Sequence, residues 1–148
     1  MTDSSITLRE ASGDDLNRVE SLLAANGLPS EDVRAKPGSF FVALSGEDVV
    51  GAGGVEVHGT DGLLRSLVIV EHARGRGYGK TVCERLEEYA RERGVERLYL
   101  LTTTAAAFFR ARGYEEVPRD EAPPAIRGTT EFTDLCPDSA TCLTKRLG

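Results

Sequence analysis

Arg74-Gly75-Arg76-Gly77-Tyr78-Gly79-Lys80-Thr81 is the stretch on which the reading of this chain turns. It joins an apolar run, Leu63 to Val70, to a segment of helical period from Gly77 to Arg93. The apolar run reads as a strand in the buried middle of a sheet. In the helical segment Val82, Leu86, Tyr89 and Ala90 share a face, and Gly94 closes it as the C′ residue. Glycines at a strand-to-helix turn let backbone N–H groups point inward and let a ligand approach closely. The helix N-terminus adds the positive end of a dipole, so the turn suits phosphate or pyrophosphate. Arg74, Arg76 and Lys80 also reverse, locally, the formal charge of −6 carried by the whole chain. An anionic ligand requires that reversal.

Two common phosphate loops do not fit. A P-loop needs Gly, four residues, then Gly-Lys-Ser/Thr. Counting back from Gly79-Lys80-Thr81 puts Arg74 where the first glycine belongs. The strand expected at Val95 to Leu101 also lacks a terminal Asp to hold magnesium. A dinucleotide fingerprint fails as well, because Gly75-x-Gly77 is followed by Lys80 at the place of the third glycine. What remains is Arg-x-x-Gly-x-Gly, formed by Arg74, Gly77 and Gly79.

Outward from the loop, alternation at Ile6 to Arg9 predicts a first strand. Ser12 and Asp15 have capping-box spacing before a helix whose Leu16, Val19, Leu22 and Leu23 share a face, and Asn26-Gly27 stops it. Pro29 to Asp32 suggests a second short helix, closed by Lys36-Pro37-Gly38. Phe40 to Leu44 and Val49 to His58 read as a hairpin around Ser45-Gly46-Glu47-Asp48. After the long helix come a strand at Val95 to Leu101 and a helix at Ala105 to Ala111, capped by Thr103 or Thr104. A strand at Tyr114 to Val117, an irregular stretch from Pro123-Pro124 and a last strand at Ala140 to Arg146 complete the chain. This order predicts an α/β (α+β) single domain with a mixed central sheet and helices on both faces.

Composition sets the class. At 148 residues and 40% hydrophobic, the chain suits one domain over 1–148, with residues 1–5 expected to be flexible. The acidic balance argues against a broad nucleic-acid-binding face. No apolar run approaches the ~20 residues of a membrane span, and the start carries no signal-peptide progression. Three cysteines at irregular spacing read as a reducing compartment, so the expected location is cytoplasmic. Two histidines and no Cys-x-x-Cys make a zinc site improbable, and no metal is expected.

The Arg74, Gly77, Gly79 pattern resembles the acetyl-CoA pyrophosphate loop of the GNAT superfamily of N-acetyltransferases, which lies between that fold's fourth strand and third helix. The downstream segment Thr102 to Tyr114, with Phe108-Phe109-Arg110-Ala111-Arg112-Gly113-Tyr114, resembles the next motif of that family. More narrowly, Leu63-Leu64-Arg65-Ser66-Leu67, Leu100 to Ala105 and Glu131-Phe132 through Leu135-Cys136-Pro137 to Cys142 look like the arsenic-resistance branch. The resemblance implies a sheet whose fourth and fifth strands splay apart to admit the cofactor's pantetheine arm. It implies an acetyl-CoA site made by Val68, Ile69 and Val70 beside that arm, with Arg74, Gly75, Arg76, Gly77, Tyr78, Gly79 and Lys80 on the pyrophosphate. Thr102, a further cofactor-binding candidate, stands where the family usually has Asn. Phe109 stands where many members have the Tyr that protonates the departing thiolate, which leaves the acid unassigned.

Acetyl transfer to an amine needs an oriented thioester, a deprotonated amine and a stabilised oxyanion. Glu56, in the apolar and glycine strand Gly53-Gly54-Val55-Glu56-Val57, is the candidate base, on the face opposite Val55 and Val57. Arg65 in the next strand either pairs with Glu56 or holds an acidic group of the substrate. Arg127 and Glu131 are candidates to line the acceptor site, with Arg34 as a further cation. The expected acceptor is the primary amine of a small zwitterion, such as an amino-acid-like arsenical or its phosphinic analogue. The partner is thus a small-molecule amine, with a homodimer left open and neither nucleic acid nor membrane expected. Two other readings stay open: a metalloid-binding protein using Cys136 and Cys142, and a module of this fold that binds CoA without catalysis.

Overall fold

The computed structural model describes residues 6–147 except positions 29, 37 and 136–138. The expectations for residues 1–5 and for Cys136 lie outside the described residues. Seven strands follow the order β1-β2-β3-β4-β5-β7-β6. They are β1 Ile6–Glu10, β2 Phe40–Ser45, β3 Asp48–His58, β4 Asp61–Ile69, β5 Arg97–Thr102, β6 Glu115–Glu116 and β7 Thr141–Arg146. The helices are α1 Asp14–Ala25, α2 Tyr78–Glu92, α3 Ala106–Ala111 and α4 Pro124–Arg127. β4 and β5 are parallel, while β1–β2, β2–β3, β5–β7 and β6–β7 are antiparallel. The α/β class with a mixed sheet is therefore the observed one. No helix among the described residues is long and apolar enough to cross a membrane.

The chain groups into two compact units, Met1–Val55 with Ser66–Glu88 and Glu56–Arg65 with Tyr89–Gly148. In the first, Val19 and Leu23 of α1 are fully buried with Val33, Phe40, Val42, Ala52 and Val68. The three- and four-residue spacing of α1 that was legible in the sequence supplies this stripe. The glycines of β3 answer to contact. A Cβ on Gly51 would stand 2.4 Å from the Val68 carbonyl oxygen, and one on Gly53 would stand 2.6 Å from Leu86 Cδ1. The Gly51 neighbour is backbone and cannot swing aside. Gly51→Ala is expected to lower the unfolding free energy by about 2 kcal/mol, read from the denaturant midpoint. An unchanged midpoint would show that β3 and β4 separate freely there.

In the second unit, β5 pairs with β7 from Arg97↔Arg146 to Thr102↔Thr141. Leu63, Tyr99, Ala122, Ile126, Phe132 and Cys142 form its apolar cluster. β4 pairs with β5 from Asp61↔Arg97 to Leu63↔Tyr99, while β5 runs on to Thr102.

Several local expectations are corrected. Ser12 and Asp15 make no capping box: Gly13 is the N-cap, without a side-chain cap bond. Asp15 instead accepts from Arg9 Nη2 at 2.8 Å and Nε at 3.1 Å, and this hydrogen bonding holds its carboxyl below the usual range. A backbone hydrogen bond from Ser12 adds a smaller share to that lowering. The second short helix is a 3-10 turn, Val33–Ala35. The strand after Gly113 shrinks to Glu115–Glu116. The irregular stretch holds α4, with Pro124 in its first turn, and a π-helical segment Glu131–Leu135.

Candidate active site

In the first unit, β4 gives way to a 3-10 turn, Glu71–Ala73, and then to the glycine loop. Gly75 has φ +82° and Gly77 φ +79°, angles at which a Cβ clashes with the following carbonyl. A Cβ on Gly75 would meet nothing within 4 Å. Glycine is thus required there for its backbone angle and not for space. Gly79 lies inside α2. Arg76 and Lys80 are exposed at the head of this 15-residue helix, and Tyr78 is buried beneath them. The loop combines left-handed glycine backbone, a helix N-terminus and cationic side chains, as an anionic ligand needs.

Arg74 is already engaged. Its Nε donates to the Ile69 carbonyl at 2.9 Å, and its Nη2 donates to Asn26 Oδ1 at 2.6 Å. Val68 is buried and Ile69 and Val70 are half-buried. The Val70 N–H donates to Val50 O at 2.8 Å. Upstream in β4, Ser66 has φ +63°, a left-handed angle that a serine gives no warning of. Arg34, read as a further acceptor cation, pairs with Glu20 at 3.1 Å and hydrogen-bonds Asn17.

The second unit gathers Glu56, Arg65 and Glu131. Arg65 Nη1 donates to Glu56 Oε2 at 3.0 Å, and its Nε lies 3.3 Å from Glu131 Oε2. The Arg65 side chain is 0% exposed, those of Glu56 and Glu131 5% and 4%. Of the two sequence readings for Arg65, the pair with Glu56 is the one formed. Buried charges persist only when paired, and one guanidinium serves both carboxylates. His58 Nε2 is 3.4 Å from Glu56 Oε1, with its own side chain 32% exposed. Arg127 is exposed, and its Nε donates to the Ala122 carbonyl at 2.9 Å.

At the end of β5 the Thr102 hydroxyl accepts from the Ala105 N–H at 2.9 Å and from the Thr104 N–H at 3.3 Å. Thr102, rather than Thr103 or Thr104, therefore closes the turn into α3. Phe109 is buried edge-on to Phe108 and Tyr114, at centroid distances of 5.1 and 5.5 Å. It offers no proton. Burial pushes the Cys142 thiol up to about 11. Among the described residues no group of His, Cys, Asp and Glu could hold a metal ion.

Residues 9–114 match the acetyltransferase (GNAT) family. The chain belongs to that family. Among its relatives, an uncharacterized N-acetyltransferase of Chlorobaculum tepidum is 30% identical over 105 residues, 70% of this chain and 64% of the relative. An amino-acid acetyltransferase of Pseudomonas syringae is 39% identical over 71 residues, 48% of this chain and 16% of that protein. The GNAT chain thus spans less than two thirds of either curated relative. Among solved structures, N-acetylglutamate synthase from Neisseria gonorrhoeae, complexed with coenzyme A and N-acetyl-glutamate, superposes with a TM-score of 0.82. It is 20% identical, and the match covers 97% of this chain and 35% of that one. A Mycobacterium tuberculosis protein in complex with CoA gives a TM-score of 0.78 at 20% identity, covering 95% and 98%. At that identity the likeness speaks for the fold.

Proposed function

We propose that this chain is an acetyl-CoA-dependent N-acetyltransferase acting on a primary amine of a small molecule. The observation that carries the reading is the loop at the head of α2, where Gly75 and Gly77 adopt left-handed angles between Arg74, Arg76 and Lys80. Such a turn fits a pyrophosphate better than any other feature of the chain. When bound, acetyl-CoA supplies the thioester.

The chain's own residues then do the rest. The Gly75–Gly79 backbone and the Arg76 and Lys80 cations hold the pyrophosphate. Val68 and Ile69 line the pantetheine arm, and Arg74 and Thr102 keep the loop and the end of β5 in shape. Glu56 takes a proton from the acceptor's ammonium, which frees the nitrogen lone pair for attack on the acetyl carbonyl. Phe109 has no hydroxyl and supplies no proton to a departing thiolate.

For the acceptor we favour an amino-acid-like zwitterion. Glu131 faces its ammonium, and the exposed Arg127 takes its acidic head. The names of the Pseudomonas relatives point the same way. The resemblance to the arsenic-resistance branch extends the class to amino-acid-like arsenicals and phosphinic analogues. Thiol release from acetyl-CoA, followed with a thiol reagent, tests the reading. A zwitterionic amino acid, its phosphinic analogue and a polyamine are compared at equal concentration. We expect turnover with kcat/KM highest for the zwitterions. No turnover with any amine would sink the enzyme assignment, and a higher kcat/KM for the polyamine would sink the acceptor class alone.

A further inference from the structure

We infer that Asn26 is a positioning residue for the cofactor loop, acting through Arg74. Asn26 is the C-cap of α1 and lies 48 residues upstream of Arg74. Its Nδ2 donates to the Leu22 carbonyl at 2.8 Å, and its Oδ1 accepts from Arg74 Nη2 at 2.6 Å. The two bonds fix the amide's orientation. Turned over, it would set an NH2 group against the guanidinium and an oxygen against a carbonyl. The other arm of Arg74, Nε, holds the Ile69 carbonyl at the end of β4. One guanidinium, carried by the residue immediately before the first glycine of the loop, thus ties the C-terminus of α1 to the last residue of β4.

The location explains what the clamp does. Gly75 and Gly77 supply the angles that the turn needs, and glycine has the most backbone freedom to lose. A loop left free would have to order itself as the pyrophosphate arrives, and binding would bear that cost. A tether on residue 74 moves the ordering into folding. The planar fork of arginine reaches two acceptors on different elements at once, which a lysine's single ammonium does not do in one fixed geometry. Arg74 therefore serves the loop as its anchor, beyond any contact with the ligand itself.

The inference rests on the proposed function, and the test separates the two. CoA affinity is measured by calorimetry for wild type, Asn26→Ala, Asn26→Asp, Arg74→Ala and the Asn26→Ala/Arg74→Ala double variant. Thermal midpoints and the steady-state constants of acetyl-CoA are recorded beside it. Asn26→Ala is expected to weaken CoA by about fivefold, the size of one modest hydrogen bond, by raising the KM of acetyl-CoA while kcat holds. Asn26→Asp keeps an oxygen for Arg74, now as a carboxylate on the guanidinium, while it sets its other oxygen against the Leu22 carbonyl and adds a charge, so its affinity should fall clearly less than that of Asn26→Ala. On the Arg74→Ala background the Asn26→Ala change should add nothing. Equal weakening by Asn26→Ala and Asn26→Asp would assign the effect to the α1 cap and overturn the clamp. So would an unchanged Asn26→Ala, or full additivity in the double variant. A wild type that does not bind CoA overturns the donor assignment itself.

Discussion

Gly77→Asp is expected to weaken coenzyme A binding by at least about 100-fold while the protein remains folded. Two effects act together. At φ +79° an L-residue carries a penalty of roughly 1–2 kcal/mol, and Asp is among the side chains that tolerate the angle best. The larger effect is charge. A carboxylate would stand in the loop where the diphosphate must approach, beside the exposed Arg76 and Lys80 that should attract it. At an effective dielectric near 20, two unit charges about 4 Å apart interact by roughly 4 kcal/mol, enough for the predicted loss even after screening. Gly77→Asn is the control, since it has the same shape and the same tolerance of the angle without the charge. We expect calorimetry to show a loss of about tenfold or less for Asn and near-complete loss for Asp. Equal losses would assign the effect to the backbone, and unchanged affinity in both would place the pyrophosphate elsewhere.

The loop was legible in the sequence because it depends on backbone angles, and glycine is the residue that supplies them. The same holds for the main elements. α1 and α2 carry their apolar stripes in local spacing, and β4 is a run of apolar residues that only a buried strand explains. What the sequence withheld depends on contacts between distant positions. Asn26 reads as a helix stop, and nothing in its neighbourhood announces Arg74. Period two set Glu56 opposite Val55 and Val57, yet Val55 and Glu56 are both buried while Val57 is 39% exposed. In a strand enclosed on both faces, alternation no longer separates inside from outside. The third member of the cluster, Glu131, comes from an irregular segment with no period to read. Arg65 pairs with Glu56 as one of its two sequence readings allowed, but only the fold shows a single guanidinium shared by two carboxylates. The N-cap of α3 is Ala105, without a side-chain cap bond, and Thr102 closes the turn before it because β5 continues one residue further than its apolar run suggests.

Replacing Glu56 by Gln is expected to lower kcat by about 100-fold or more, the low end of what general base catalysis contributes. The geometry makes the result interpretable. Glu56 Oε2 accepts from Arg65 Nη1 at 3.0 Å, and Oε1 lies 3.4 Å from His58 Nε2. A Gln can keep its oxygen on Arg65 and turn its NH2 toward His58, so both contacts have a counterpart. Removing one partner of a buried pair ordinarily strands the other charge. Here Arg65 keeps Glu131 at 3.3 Å, which limits the cost to folding and leaves the loss of rate to the chemistry. Substrate binding loses little, so the fall belongs in kcat. Glu131→Gln removes an equal charge from the same guanidinium and serves as the comparison. If Glu131 meets the acceptor's ammonium, that change raises the acceptor's KM and leaves kcat within about threefold. A Glu56→Gln enzyme with unaltered kcat would exclude Glu56 as the base. Equal losses of kcat in both variants would mean that the rate depends on the charge of the cluster, with no single carboxylate taking the proton.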